Sequence, residues 1–188
     1  MTVTEGAFGM EALPLGWPHV ILLLVAAQRL AELLLARRNT RRLLAEGGRE
    51  AGATHYPLFV GLHAGWLALL FAAVPADAPV NGWLLALFVL LQAGRVWVIA
   101  TLGRFWTTRI ITLPGAPLVR RGPFRWVRHP NYLVVAGELA VLPLVFGAWW
   151  IAVLATLLNA PLTLHRIRVE DGALSGRRAL RSAGNTVS

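Results

Sequence analysis

The sequence predicts an all-α, polytopic membrane protein of about five transmembrane helices, and three observations predict it. Of its 188 residues 56% are hydrophobic and 14% charged, with a mean hydropathy of +0.59, far from the balance of a soluble domain. The apolar residues gather into long runs. The arginines gather between those runs: every one of the 18 basic residues is Arg, and all but Arg29 and Arg95 lie in 37–49, 104–128 and 166–181.

A formal charge of +9 and a pI near 11.7 would also suit a nucleic-acid binder. Confinement of that charge to three segments between apolar runs is instead how cytoplasmic loops look under the positive-inside rule, so nucleic acid is not expected as a partner. The absence of cysteine excludes a disulfide, a thiolate nucleophile and a cysteine metal site. Met1–Gly16 carries Glu5 and Glu11 without a basic n-region, so the first apolar run is expected to stay as an anchor.

The first helix is expected over about 17–36, near the ~20 residues that span the hydrocarbon. It meets Arg37, Arg38, Arg41 and Arg42, which places its end in the cytoplasm and the acidic N-terminus outside. A glycine-containing loop at 45–54 leads to a second helix over about 56–74, and Pro-Ala-Asp-Ala-Pro at 75–79 makes an outside turn free of basic residues. A third helix over about 80–102 returns inward. The segment 103–130, rich in Arg and Pro, reads as cytoplasmic and mostly irregular. Apolar runs at 131–146 and 149–165, separated by Gly147 and Ala148, read as a tight antiparallel hairpin that need not fully cross the bilayer. A charged helical segment at 166–182 and a frayed end complete a single membrane domain: three N-terminal helices in 1–102, then the loop, hairpin and last helix in 103–188. The C-terminus is then inside.

The polar residues that chemistry would use sit in the second half. Residues 120–132 hold Arg120, Arg121, Arg125, Arg128, His129, Asn131 and Tyr132 between two apolar segments. Pro123 and Pro130 restrict the backbone around them, so the loop can present guanidinium donors at fixed positions to a carboxylate or phosphate. Plain interfacial anchoring of arginine is the alternative. Glu138, seven residues after Asn131, falls on nearly the same helical face and about 10 Å deeper. A carboxylate at that depth needs a partner, Arg95 or Arg29, or a task as the polar wall of a pocket. Asn159, Thr163, Arg166 and Glu170 share one stripe of the last helix, and Pro161 is expected to kink it. Gln28, Arg29 and Glu32, with Gln92 and Arg95, read as snorkelling side chains and a mutual ion pair. Trp17, Trp83, Trp149 and Trp150 read as an outer aromatic belt.

Several chemistries have no motif here. No GxGxxG follows a strand, no Walker loop is present, no serine sits in a nucleophile elbow, and no histidines show metal-ligand spacing. No metal is expected.

GPFRWVRHPNY at 122–132, the hairpin that follows it, and RIRVEDGAL at 166–174 together resemble the C-terminal signature of the isoprenylcysteine carboxyl methyltransferase family. The stretch 102–133 is most similar to the small prokaryotic branch, whose members include O-methyltransferases of alkylated phenols and pyrones. The resemblance implies S-adenosylmethionine bound at the cytoplasmic face, between a loop-to-helix motif and the final helix, with a lipophilic acceptor entering from the bilayer of a prokaryotic inner membrane. It implies cofactor contacts at Arg128, His129, Pro130 and Tyr132 and at Arg166, Glu170 and Leu174, with Arg125 beside them. Where the family usually has a second Glu, this chain has Asp171.

The residues suit that ligand: Arg for a carboxylate, Glu170 for an ammonium or ribose diol, aromatic or apolar walls for adenine. Catalysis would then rest on Arg128 to position a carboxylate acceptor, or on Glu138 or His129 as base for a phenol or enol. Two rival readings stand beside this one. A membrane reductase of the steroid or sterol reductase type, using NADPH, carries a similar Arg-His-Pro-Asn-Tyr motif, but there a Gly-Glu pair follows the Tyr almost at once. A small transporter or structural subunit would also hold intramembrane charge, though its polar groups should occupy both leaflets.

Overall fold

The computed structural model describes residues 15–116 and 118–184, with side chains described as far as Ser175. The segment with Glu5 and Glu11 and the last residues, 185–188, lie outside the described residues. Among the described residues there are five α-helices: α1 (Trp17–Ala45), α2 (Tyr56–Ala73), α3 (Gly82–Leu102), α4 (Pro130–Val145) and α5 (Trp149–Gly184). Four of them are long and apolar enough to cross a membrane, and α4 is a shorter apolar helix. At 16 residues α4 reaches only about 24 Å, short of a ~30 Å hydrocarbon layer.

Two helices outrun their expected ends. The first continues through its arginine cluster to Ala45, because Arg, Leu and Ala are good helix formers and the first breaker is Gly47. The fifth joins the second arm of the hairpin to the charged tail in one helix of 36 residues, which runs uninterrupted through Pro161. A single proline removes one backbone hydrogen bond, too little to end a helix held on both sides.

The segments expected as irregular contain a small sheet. Strands β1 (Arg49–Ala51) and β2 (Ile110–Thr112) pair antiparallel, with Glu50 opposite Ile111. Short 3-10 turns at Ala53–His55, Gly103–Phe105 and Gly122–Arg125 flank the ribbon and the loop after it.

Packing runs from α3 onto α4, α4 onto α5 and α2 onto α5, with α1 against α2. The larger core cluster joins Leu22 and Val25 of α1 to Trp66 and Leu70 of α2, Phe88 of α3, Leu139 and Leu142 of α4 and Ile151 of α5. A smaller one, Ala36, Val98 and Trp106, sits at the arginine-rich end. Leu24, Leu90 and Leu157 face outward and exposed, as a lipid-solvated surface requires.

Between α4 and α5 the turn is closed by backbone hydrogen bonds from Gly147 N to Leu144 O (3.1 Å) and from Ala148 N to Pro143 O (2.9 Å). That pairing needs a left-handed residue after the helix, and Gly147, at φ 72°, supplies it. Asn81 N donates to Val145 O (2.9 Å), so the start of α3 and the end of α4 share one end of the bundle. Trp17, Trp83, Trp149 and Trp150, at the starts of α1, α3 and α5, are exposed, as a belt would be.

Candidate functional site

The loop between α3 and α4 is fastened from three directions. From α1, buried Asn39 donates through Nδ2 to Gly103 O (3.1 Å) and Trp106 O (2.9 Å), satisfying carbonyls where α3 ends. From the side, β2 is held on β1, and Arg109 Nη1 pairs with Glu50 (2.9 Å) while its guanidinium lies over the Tyr56 ring. From α3, the backbone of Gly122 passes so close to Thr101 and Trp97 that a Cβ would collide with Thr101, and its φ of 56° independently disfavours any other residue. The chain then enters α4 with Pro130 at the first helical position, where a missing N–H costs nothing, and Pro130 is buried.

This loop faces α5 across a cavity of about 590 Å³. Its apolar wall includes Leu102, Phe105, Ile111, Leu118, Phe124, Trp126 and Leu174, and its polar groups are Arg120, Arg125, Arg128, His129 and Glu170. Of the residues singled out from sequence, Arg125, Arg128, His129, Glu170 and Leu174 therefore meet around one space. Glu170 and Leu174 stand one turn apart on α5.

Tyr132 and Arg166 stand behind that wall. The Tyr132 hydroxyl donates to Glu170 Oε2 and accepts from Arg166 Nε (3.0 Å), and Arg166 Nη2 donates to the carbonyl of Thr108 (2.6 Å). The Thr108 hydroxyl in turn lies 3.1 Å from that of Tyr56. Arg166 is buried, its guanidinium over the Phe59 ring of α2. Asn159 is also buried and accepts from the Thr163 hydroxyl (3.2 Å), so all four stripe residues turn inward.

His129 stands between two carboxylates. An ionised carboxylate only accepts, so Nε2 donates to Asp171 Oδ1 (3.1 Å), while Nδ1 lies 3.8 Å from Glu170 Oε1. Arg128 Nη1 lies 3.8 Å from Asp171 Oδ2, on an exposed side chain. Asp171, read from sequence only as a shortened carboxylate, is thus the partner of the motif histidine. Nothing in the local sequence signals that pairing or the use of the Thr108 carbonyl.

Glu138 lies elsewhere. Its Oε2 is 3.2 Å from Arg95 Nη1 and its Oε1 is 2.8 Å from Arg29 Nη2, the latter a charge contact without hydrogen-bond alignment. Arg95 also grips Glu32 (Nη2 to Oε2, 2.7 Å), Arg29 pairs with Glu32 (2.9 Å), and Gln28 and Gln92 close the set through Gln92 Nε2 to Gln28 Oε1 (3.0 Å). Two cations and two anions from α1, α3 and α4 neutralise one another, and none of the four lines the cavity. Among the described residues no three His, Asp or Glu side chains are arranged so that they could hold a metal ion.

The model of the isoprenylcysteine carboxyl methyltransferase family matches residues 84–176, which spans the loop, the α4–α5 hairpin and the acidic pair. A Bacillus subtilis (strain 168) protein, Uncharacterized protein YpbQ, is 37% identical over 162 residues, covering 84% of this chain and 95% of that protein. An uncharacterized protein of Haemophilus influenzae is 28% identical over 156 residues, covering 80% and 91%.

Proposed function

Because the chain belongs to the isoprenylcysteine carboxyl methyltransferase family, whose members are membrane methyltransferases, we propose that it moves a methyl group from S-adenosylmethionine to an oxygen of a lipophilic acceptor arriving from the bilayer. The observation that carries this reading is the meeting of His129 and its neighbouring arginines with Glu170 and Leu174 across one cavity. Its volume lies within the roughly 300–1,000 Å³ of small-ligand sites.

The residues present fit that cofactor. Arg125 and Arg128 offer donors for its carboxylate, Glu170 an acceptor for its ammonium or ribose, and Phe124, Trp126 and Leu174 a wall for its adenine. When bound, it supplies a methyl on a positively charged sulfur, electrophilic enough for direct transfer. The protein's part is to orient and to exclude water.

Orientation starts with Glu170, whose carboxylate is held by Tyr132 and, through it, by Arg166. A carboxylate fixed before binding loses less freedom when the ligand arrives. For an acceptor that is already an anion, Arg128 positions the oxygen. For a phenol or enol, His129 takes the proton on Nδ1, with Asp171 bracing the opposite nitrogen. Glu138, enclosed in its own ion pairs, holds α1, α3 and α4 together. This reading puts the arginine-rich end on the cytoplasmic side of a prokaryotic inner membrane, with the N-terminus outside, following the positive-inside rule.

The test is transfer of a labelled methyl from S-adenosylmethionine into a total lipid extract by the purified protein. Label is expected in the organic phase, released as methanol by mild base if the product is an ester and retained if it is an aryl or enol ether. Label found only in the aqueous phase would contradict a lipophilic acceptor.

A further inference from the structure

Adjoining the cavity at His129 is a second open chamber of about 410 Å³ that shares Leu102, Phe105, Leu118, Val119 and Arg120 with it. Its cationic rim is Arg104, Arg120 and Arg121, and among the described residues no carboxylate lines it. Two of the three are partly satisfied: Arg104 pairs with Glu46 at the end of α1 and lies over the Phe105 ring. Arg121 is anchored by a long hydrogen bond from Nη2 to Thr101 O (3.4 Å), which leaves most of its guanidinium fork available, and Arg120 is exposed.

The chamber's place in the fold identifies what such a site can take. It is built on the last turn of α3 and the 3-10 turn Gly103–Phe105, where a candidate membrane span ends; with that span in the bilayer, its apolar walls would begin at the hydrocarbon boundary and its arginines would stand at headgroup depth. A free phosphate would find the arginines but not use the apolar walls. A neutral lipid would use the walls and leave clustered cations uncompensated. An anionic amphiphile matches both, and basic pockets at the ends of membrane helices are suited to phospholipid headgroups.

We propose that this chamber binds an anionic glycerophospholipid, with its phosphate between Arg120 and Arg121 and its first acyl carbons against Phe105, Leu118 and Val119. Arg120 lines both spaces, so the assignment rests on lipid retention rather than on methyl transfer. Because it shares its walls with the cavity at His129, a bound lipid would also brace the loop that carries Arg125 and Arg128.

The test is native mass spectrometry of the full chain released from nanodiscs of equal phosphatidylglycerol and phosphatidylcholine. The wild type is expected to retain phosphatidylglycerol preferentially, by about thirtyfold for two arginine contacts. Arg120→Gln with Arg121→Gln should abolish the preference. Arg37→Gln with Arg38→Gln, which removes the same charge from an exposed part of α1, should leave it intact. Equal loss in both double variants, or no preference in the wild type, would overturn the proposal, since diffuse positive charge would then explain everything. Retention of glycerol 3-phosphate as strongly as the lipid would overturn the commitment to a lipid.

Discussion

The protein holds two sets of buried or half-buried charges, and they are built on opposite plans. Arg29, Glu32, Arg95 and Glu138 form a closed group in which each charge meets opposite charges and none reaches the cavity. Around His129, Tyr132, Arg166, Glu170 and Asp171 the chain of contacts is open: its far end is tied down by the Thr108 carbonyl and its near end, Glu170 and His129, lines the cavity. A charge deep in a membrane protein is therefore no guide to a site by itself. What distinguishes the two sets is whether hydrogen-bonding capacity is left over toward a space large enough for a ligand.

The largest effect that would sharpen this contrast is on folding. Glu138→Ala leaves a buried guanidinium, Arg95, and a half-buried one, Arg29, sharing one carboxylate, and breaking a buried pair in this way costs about 3–5 kcal/mol. Thermal unfolding in detergent should show a large fall in midpoint, and an unchanged midpoint would remove the structural role given to the cluster. On the open side, Tyr132→Phe removes the hydroxyl that bridges Glu170 and Arg166. Hydrogen bonds to charged groups are worth about 1.5–3 kcal/mol, so affinity for S-adenosylhomocysteine should drop roughly tenfold or more. Stability should change less than in Glu138→Ala. Smallest of all is Arg109→Ala, which removes the ion pair from Arg109 to Glu50 on the ribbon. Because the Arg109 side chain is 42% exposed, the loss should stay below about 1 kcal/mol. A loss several times larger would make the ribbon a main support of the loop.

How much of this was legible in the sequence differs between elements for physical reasons. The helices were, because runs of apolar residues near 20 long have few other uses, although α1 and α5 extend beyond their apolar runs on helix propensity that hydropathy does not report. The ribbon was not: strands of three residues are too short for a two-residue alternation to stand out. The stripe from Asn159 to Glu170 was legible because spacings of 4, 3 and 4 fix a common face of one helix. Spacing also put Asn131 and Glu138 on one face, but it cannot tell an ion-pair partner from a ligand pocket across that face. Arg29 and Arg95, the ion-pair partners that Glu138 meets, come from two other helices. The partnership of His129 with Asp171 is likewise a product of the fold, joining residues 42 apart.

The contrast between the closed and the open set is tested most directly by calorimetry with S-adenosylhomocysteine on Glu170→Gln and Glu138→Gln, at a temperature where both variants are folded. The account predicts that Glu170→Gln weakens binding by about 10- to 100-fold, the worth of one charge-assisted contact, while Glu138→Gln binds as the wild type does. Undiminished affinity in Glu170→Gln, with binding lost in Glu138→Gln, would contradict it.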